Sequence, residues 1–158
     1  MIAPALRSRL SSLVTVRFGF FLRAEKMHDL FTSVGSSGHW ADRFGGVDLH
    51  ARSHGQAFIQ VLKTRVVERG LYLFDEPEAA LSFTSCLGLI ALLAEMPADG
   101  LQAIVATHSP LIAATPGASL VEVGEWGMRQ ARYEDLDLVR SWREFLESPE
   151  RYVKYLVP

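Results

Sequence analysis

The sequence predicts an α/β protein with a mainly parallel sheet, on three observations. Two short apolar runs, LYLF at 71–74 and AIVA at 103–106, have the length expected of strands buried on both faces of a sheet. Longer segments with apolar residues at helical spacing lie between such runs. The connections between them are short. This strand–helix–strand alternation is typical of parallel α/β sheets.

The composition indicates one globular domain. The chain has 158 residues, of which 49% are hydrophobic and 22% are charged, so a real core is expected rather than disorder. The formal net charge is -2, which gives no electrostatic indication of a nucleic-acid partner. Cys86 is the single cysteine, which excludes a disulfide within the chain and favours a cytoplasmic location. No apolar run approaches the length of a membrane span.

The first third of the chain contains one predicted strand. Residues 14–22 are rich in β-branched and aromatic side chains and predict this strand. A short helix is expected over 24–33, and the glycine-rich polar stretch 33–52 predicts a loop. Residues 1–13 are left unassigned, so the predicted domain extends over 14–158.

The central segment predicts a helix and two buried strands. Ser53 is the expected N-cap of a helix that ends at Gly70. The apolar face of this helix consists of Phe58, Val61, Leu62 and Val66. A strand over 71–75 follows, then a helix over 83–96 and a second strand over 103–107.

The last part of the chain predicts shorter elements. They are a helix beginning at Pro110, a strand over 119–123 with GMRQARY (127–133) as its pairing partner, and helices over 135–147 and 150–156 on either side of Pro149.

Charged and polar residues follow the two buried strands where each strand ends. Asp75 and Glu76 close the first strand, and His108 follows the second. Ligands of parallel α/β sheets bind at the carboxyl ends of strands, so these residues are expected to meet in space. Adjacent carboxylates repel each other, and a metal ion or a reacting water would compensate for their cost.

These residue types fit a site for phosphoryl transfer. One carboxylate can hold Mg²⁺ through water, and the second can orient and deprotonate an attacking water. The histidine can steady the phosphate and help to position that water. Upstream, RSHGQAF places Ser53, Gly55 and Gln56 at a helix start, where free backbone N–H groups favour an anion.

Taken in order, these motifs resemble those of ABC-type and AAA-like P-loop ATPases, in particular the small bacterial predicted ATPases, over about residues 18–158. LYLFDEP resembles the Walker B strand, and ATHSP resembles the switch-histidine segment. SHGQ is similar to the family's signature SGGQ, with His54 in place of one glycine. EAALS stands where the family has its D-loop.

The resemblance implies a P-loop NTPase-like three-layer sandwich and Mg²⁺-dependent binding and hydrolysis of ATP. It implies that Asp75 holds Mg²⁺ through water and that Glu76 and His108 are catalytic. It also implies a homodimer that sandwiches ATP between its subunits. The residues implied to bind the nucleotide of the other subunit are Ser53, Gly55 and Gln56.

One family motif has no counterpart in this sequence. The phosphate-binding loop GxxxxGK[ST] requires a Gly-Lys dipeptide, and the sequence contains none. The resemblance therefore implies the C-terminal half of an ATPase domain, truncated and incompetent alone, which a phosphate-loop segment would complete. The alternative is a non-catalytic remnant or interaction module with the same partial fold. A helicase-like motor fits less well, because SHGQ precedes the acidic pair.

Overall fold

A computed structural model describes residues 19–23, 54–79, 81–154 and 156, and in residue 54 only the backbone. The elements in chain order are β1 (Gly19–Arg23), α1 (His54–Arg65), β2 (Leu71–Asp75), α2 (Phe83–Glu95), β3 (Gln102–Ala106), α3 (Pro110–Ala113), β4 (Val121–Gly124), β5 (Gly127–Gln130), α4 (Asp137–Glu147) and α5 (Glu150–Val153), with 3₁₀ turns at Met96–Asp99 and Tyr133–Asp135.

The described strands β1, β2 and β3 form a parallel sheet in that order. The predicted α/β class with a parallel sheet is therefore confirmed. The register places the last residues of the three strands, Arg23, Asp75 and Ala106, side by side. The carboxyl ends of the strands consequently share one edge of the sheet, which is the edge that the sequence predicts for the site.

One face of the sheet is covered by helices and carries the core. Tyr72 and Phe74 point to this face, and both are almost completely buried. Their rings are stacked with centroids 6.4 Å apart. Residues of α1 and α2 pack on them. The buried cluster consists of Leu22, Phe58, Leu62, Val66, Tyr72, Phe74, Cys86, Leu89, Leu92, Leu93, Met96, Leu101 and Ile112.

The opposite face of the sheet carries a row of apolar side chains that we call the exposed row: Phe21, Leu73 and Ile104. The three residues are in register on neighbouring strands. Phe21 is 61% exposed, Ile104 is also exposed and Leu73 is partly exposed. The prediction that β2 and β3 are buried on both faces is therefore wrong within the described residues, because α1 and α2 pack on the other face only.

Helix α2 agrees closely with its prediction. Ser82 is its N-cap, and its hydroxyl accepts a hydrogen bond from the Ser85 N–H at 3.3 Å. A 3₁₀ turn follows the helix, and Gly100 ends this turn with a left-handed φ of 72°. Such a φ is easily adopted only by glycine, so the sequence signal for the end of this segment is strong.

Several predicted boundaries are wrong by a few residues. Helix α1 ends at Arg65 instead of Gly70, and the Gly70 carbonyl accepts a hydrogen bond from the Gln102 N–H at 3.0 Å. Gly70 therefore belongs to the start of the sheet. Strand β3 ends at Ala106, one residue before its predicted end, and β1 ends at Arg23, one residue after. The predicted helix over 24–33 and loop over 33–52 lie outside the described residues.

The C-terminal elements form a second, smaller cluster. Strands β4 and β5 pair antiparallel, which confirms the predicted partner of the 119–123 segment. The cluster is centred on Ala113, Leu136 and Val139. The helix predicted over 135–147 is divided, because the extended backbone of Leu136 separates the 3₁₀ turn from α4. Helix α5 is shorter than the predicted 150–156 and ends at Val153.

Glu122 connects the hairpin to α4. Its Oε2 accepts hydrogen bonds from the Arg129 guanidinium, one of them from Nε at 2.9 Å, and its Oε1 accepts one from the Asp137 N–H at 2.7 Å. A carboxylate at a helix N-terminus satisfies an unpaired N–H and interacts well with the helix dipole. In the part of the chain that the structure describes, no helix is long and apolar enough to cross a bilayer.

Candidate functional site

The candidate site lies where β2 and β3 end. The Glu76 N–H donates a hydrogen bond to the Ala106 carbonyl at 2.9 Å, which extends the pairing of the two strands by one residue. Glu76 then leaves the sheet with a φ of 47°, a left-handed value that is uncommon for a residue with a side chain. Such backbone strain is often found at functional sites. The turn directs the Glu76 carboxylate into solvent.

Glu76 and His108 lie against each other at this edge. The distance from Glu76 Oε1 to His108 Nε2 is 3.5 Å, and the imidazole is 86% exposed. The expectation that the ends of the two strands meet is therefore confirmed, although about thirty residues separate them in the chain. A carboxylate and an imidazole that both face solvent can exchange protons with a water or a ligand placed between them.

Asp75 has a partner that the sequence analysis did not predict. Its Oδ2 accepts a hydrogen bond from Arg23 Nε at 2.9 Å, across the ends of β1 and β2. The two residues are directly opposite in the strand register. Both side chains are partly exposed, so the ion pair contributes little to stability, and a cation can compete for the carboxylate.

The residues at this edge fit one particular mode of Mg²⁺ binding. Among the described residues, no group of three or more His, Cys, Asp or Glu side chains could hold a metal by itself. Mg²⁺ differs from Zn²⁺ in that it often takes only one or two protein carboxylates, with waters and substrate phosphates as the other ligands. Asp75 at an open strand end can serve as that single carboxylate.

The three residues with a predicted role in trans have different positions. Ser53 lies outside the described residues. Gly55 is buried in the first turn of α1, and a Cβ added there would lie only 2.8 Å from the Ser85 Cβ in α2. Packing against α2 is therefore a sufficient reason for glycine at position 55. Gln56 is exposed at the start of α1, where a second subunit could reach it.

Glu78 is a residue of this edge that the sequence analysis missed. Its Oε1 accepts hydrogen bonds from the Thr107 hydroxyl at 2.5 Å and from the His108 N–H at 3.0 Å. It also raises the pKa of the Cys86 thiol, although burial is the larger cause of that rise. The sequence shows a second acid two residues after Glu76, but the contact of this acid with Thr107 and His108 depends on the fold of the turn.

No family model, no curated protein and no solved structure matches this chain.

The chemistry available at this edge is that of charged oxygen and nitrogen groups in contact with solvent. Asp75 and Glu76 supply two adjacent carboxylates, and His108 supplies an imidazole beside the second one. Such a set can bind a hydrated cation, accept a proton from water and donate a hydrogen bond to an anion.

Proposed function

We propose that this chain carries the water-activating part of an ATPase site and belongs to the ABC-type, P-loop NTPase-like proteins. The observation that carries the proposal is the contact between Glu76 and His108, 3.5 Å apart at the ends of adjacent parallel strands. Asp75 next to Glu76 adds the carboxylate that a hydrated magnesium ion needs. The single cysteine agrees with action in the cytoplasm.

Each residue has a defined task under this proposal. Bound Mg²⁺ supplies charge neutralisation for the phosphates, and Asp75 is the residue that holds it through water. The Glu76 carboxylate orients the attacking water and accepts its proton. The His108 imidazole donates a hydrogen bond to the terminal phosphate. The phosphates themselves need a loop of backbone N–H groups and a lysine, and the sequence contains no such motif.

The proposed active form is a homodimer with ATP between the subunits. In this arrangement the start of α1, where Gln56 is exposed, faces the nucleotide held by the other subunit. The N-terminus of a helix favours the negative charge of a phosphate. A three-layer sandwich requires helices on both faces of the sheet, and under this proposal a second helical layer would pack on the exposed row, which is apolar.

The experiment that tests nucleotide binding is a titration of the whole 158-residue chain with ATP and Mg²⁺, followed by NMR. We expect shifts of the backbone signals of Asp75, Glu76 and His108 at millimolar ATP, and smaller shifts without Mg²⁺. The control variant is Glu95→Gln, which should show the same shifts as the wild type, because Glu95 is exposed at the far end of α2. Shifts scattered over the surface, or none at the strand ends, would contradict the proposal.

Hydrolysis is tested in a form of the protein that carries a phosphate-binding loop. There, Glu76→Gln should lower phosphate release by about a hundredfold or more, because general base catalysis is lost. ATP binding should be retained, since the amide keeps the shape of the side chain. Equal turnover in the Glu76→Gln and wild-type proteins would refute the role of Glu76 as the base.

A non-catalytic interaction module is the second candidate. Two observations favour it: the Arg23 guanidinium is bound to Asp75, and the exposed row leaves an apolar surface on the sheet. Under this alternative the strand ends are structural, so Mg²⁺ and ATP leave the signals of Asp75 and His108 unchanged. The NMR titration therefore separates the two candidates.

A further inference from the structure

Glu78 holds two consecutive residues directly after the end of β3, and a third is linked through one of them. The Thr107 hydroxyl and the His108 N–H both donate to its Oε1, at 2.5 Å and 3.0 Å. The Ser109 N–H donates in turn to the Thr107 hydroxyl oxygen at 3.0 Å. These hydrogen bonds, which we call the Glu78 clamp, tie the turn after β2 to the segment after β3.

We propose that Glu78 is a positioning residue, which fixes the backbone of His108 so that its imidazole lies beside Glu76. The importance of this position for hydrolysis rests on the proposed function. The clamp itself is a property of the protein without nucleotide, and it is tested in that state.

The exposure of His108 explains why the backbone has to be fixed. The imidazole is 86% exposed, so packing contributes little to its position. Its orientation relative to Glu76 therefore depends on where the main chain places its Cα. The His108 N–H is held by Glu78, and the Glu76 N–H is held by Ala106. Both members of the candidate pair are thus set by hydrogen bonds at their backbones.

The chemistry of the clamp favours a carboxylate over a neutral side chain. One ionised oxygen can accept two hydrogen bonds at once, and hydrogen bonds to a charged acceptor are shorter and stronger than neutral ones. Glu78 Oε2, however, is buried without a hydrogen-bond partner among the described residues. A buried oxygen without a partner destabilises the fold. Stability alone therefore does not account for an acid at this position.

Glu76 and Glu78 divide two tasks between the sides of one turn. Glu76 faces solvent and contacts the imidazole, whereas Glu78 faces inward and contacts the backbone of the same histidine. Pro77 lies between them and is fully buried, which fixes the main chain of the turn. A displacement of this turn would consequently move His108 with it.

The test uses the whole chain without nucleotide and compares Glu78→Ala with Glu78→Gln. Glutamine keeps an acceptor oxygen for both donors, and alanine removes it. Hydrogen exchange of the His108 amide is measured by NMR, together with the nuclear Overhauser contact between the His108 ring and the Glu76 side chain. In Glu78→Ala we expect exchange to be about tenfold faster or more, since a hydrogen bond to a charged group is lost. The ring contact should disappear. Glu78→Gln should restore both in part, because a neutral amide oxygen accepts weaker hydrogen bonds than a carboxylate.

A second pair of variants is used if Glu78→Ala does not fold. Thr107→Val keeps the side-chain shape and removes the hydroxyl, while Thr107→Ser keeps the hydroxyl. We expect Thr107→Val to lose protection at Ser109 and to weaken the ring contact of His108, and Thr107→Ser to behave as wild type. A folded Glu78→Ala or Thr107→Val protein with unchanged His108 exchange and ring contact would overturn the proposal.

The two proposals fail in different measurements. If the Glu78→Ala protein loses the His108–Glu76 contact but the wild type does not bind Mg²⁺ and ATP, the clamp stands and the ATPase proposal fails. In a form that carries a phosphate-binding loop, a positioning role predicts a lower kcat with an unchanged KM for ATP in Glu78→Ala, and recovery of kcat in Glu78→Gln. A change in the KM for ATP with kcat unchanged in Glu78→Ala would contradict a positioning role.

Discussion

The interior of the sheet and its carboxyl edge follow different physical rules, although the same strands build both. In β2, Tyr72 and Phe74 are buried in a close-packed cluster. The next two residues, Asp75 and Glu76, are charged and reach solvent, and Glu76 has a strained backbone. One strand thus changes from core to candidate site within a single residue. Stability should therefore depend on the interior and chemistry on the edge, and substitutions on each side should separate the two.

The largest expected effect belongs to the interior. Phe74→Ala should lower the free energy of unfolding by about 3–5 kcal/mol, because it removes a buried ring and leaves a cavity. The matched control is Phe21→Ala in the exposed row, which should cost less than about 1 kcal/mol. Urea unfolding of both variants measures the difference. Similar losses in the two variants would mean that the two faces of the sheet are equally buried.

A smaller effect and a pH dependence are expected at Tyr72. Its hydroxyl donates to the Glu68 carbonyl at 2.8 Å, so Tyr72→Phe should cost about 1 kcal/mol. Burial raises the pKa of Tyr72, so unfolded chains lose this proton first as pH increases. The contribution of the protonated Tyr72 hydroxyl to stability is therefore complete below about pH 10 and is lost as pH rises above that value. Between pH 8 and pH 11, the free energy of unfolding should decrease less for Tyr72→Phe than for the wild type.

At the strained turn, the smaller side chain should give the more stable protein. Glu76→Gly should be more stable than Glu76→Ala by roughly 0.5–1 kcal/mol, because glycine adopts a φ of this sign without steric cost. Both variants lack the carboxylate, so their difference reports the backbone alone. Thermal unfolding of the pair measures it. If alanine is the more stable of the two, the left-handed conformation of residue 76 is not present in solution.

The smallest effect on stability is expected at Arg23. Arg23→Met keeps an apolar stem and removes the guanidinium from Asp75, and it should change the free energy of unfolding by no more than about 0.5 kcal/mol. Mg²⁺ binding should nevertheless become several times tighter, since a competing cation is gone. Titration with Mg²⁺, followed at the backbone signal of Asp75, measures this. Weaker Mg²⁺ binding in Arg23→Met would show that Arg23 assists rather than competes.

The sequence predicted those parts of the molecule that depend on local signals. The apolar run of β2, the apolar spacing of α2 and the acidic pair after β2 are all visible in short stretches of the sequence. The rule that strand ends meet at one edge was enough to place His108 near Glu76. The roles of these residues in binding and hydrolysis stay predictions.

The features that the sequence did not predict depend on contacts between distant parts of the chain. The Arg23–Asp75 pair follows from the register of β1 against β2, which no local pattern specifies. The inward direction of Glu78 follows from the turn at Glu76. Apolar runs do not reveal which face of a sheet is covered, so the sequence wrongly predicts that Leu73 and Ile104 are buried. In each case the deciding interaction is tertiary, and a sequence window does not contain it.

The bonds of Glu122 have a consequence for the order in which the molecule assembles. Its partners Arg129 and Asp137 are 7 and 15 residues away, whereas 52 residues separate Arg23 from Asp75. Closing a short loop costs less chain entropy than closing a long one. We therefore expect the hairpin and α4 to form early during folding, and the β1 side of the candidate site to form late. Pulsed hydrogen exchange during refolding would reveal protection at Asp137 before protection along β1.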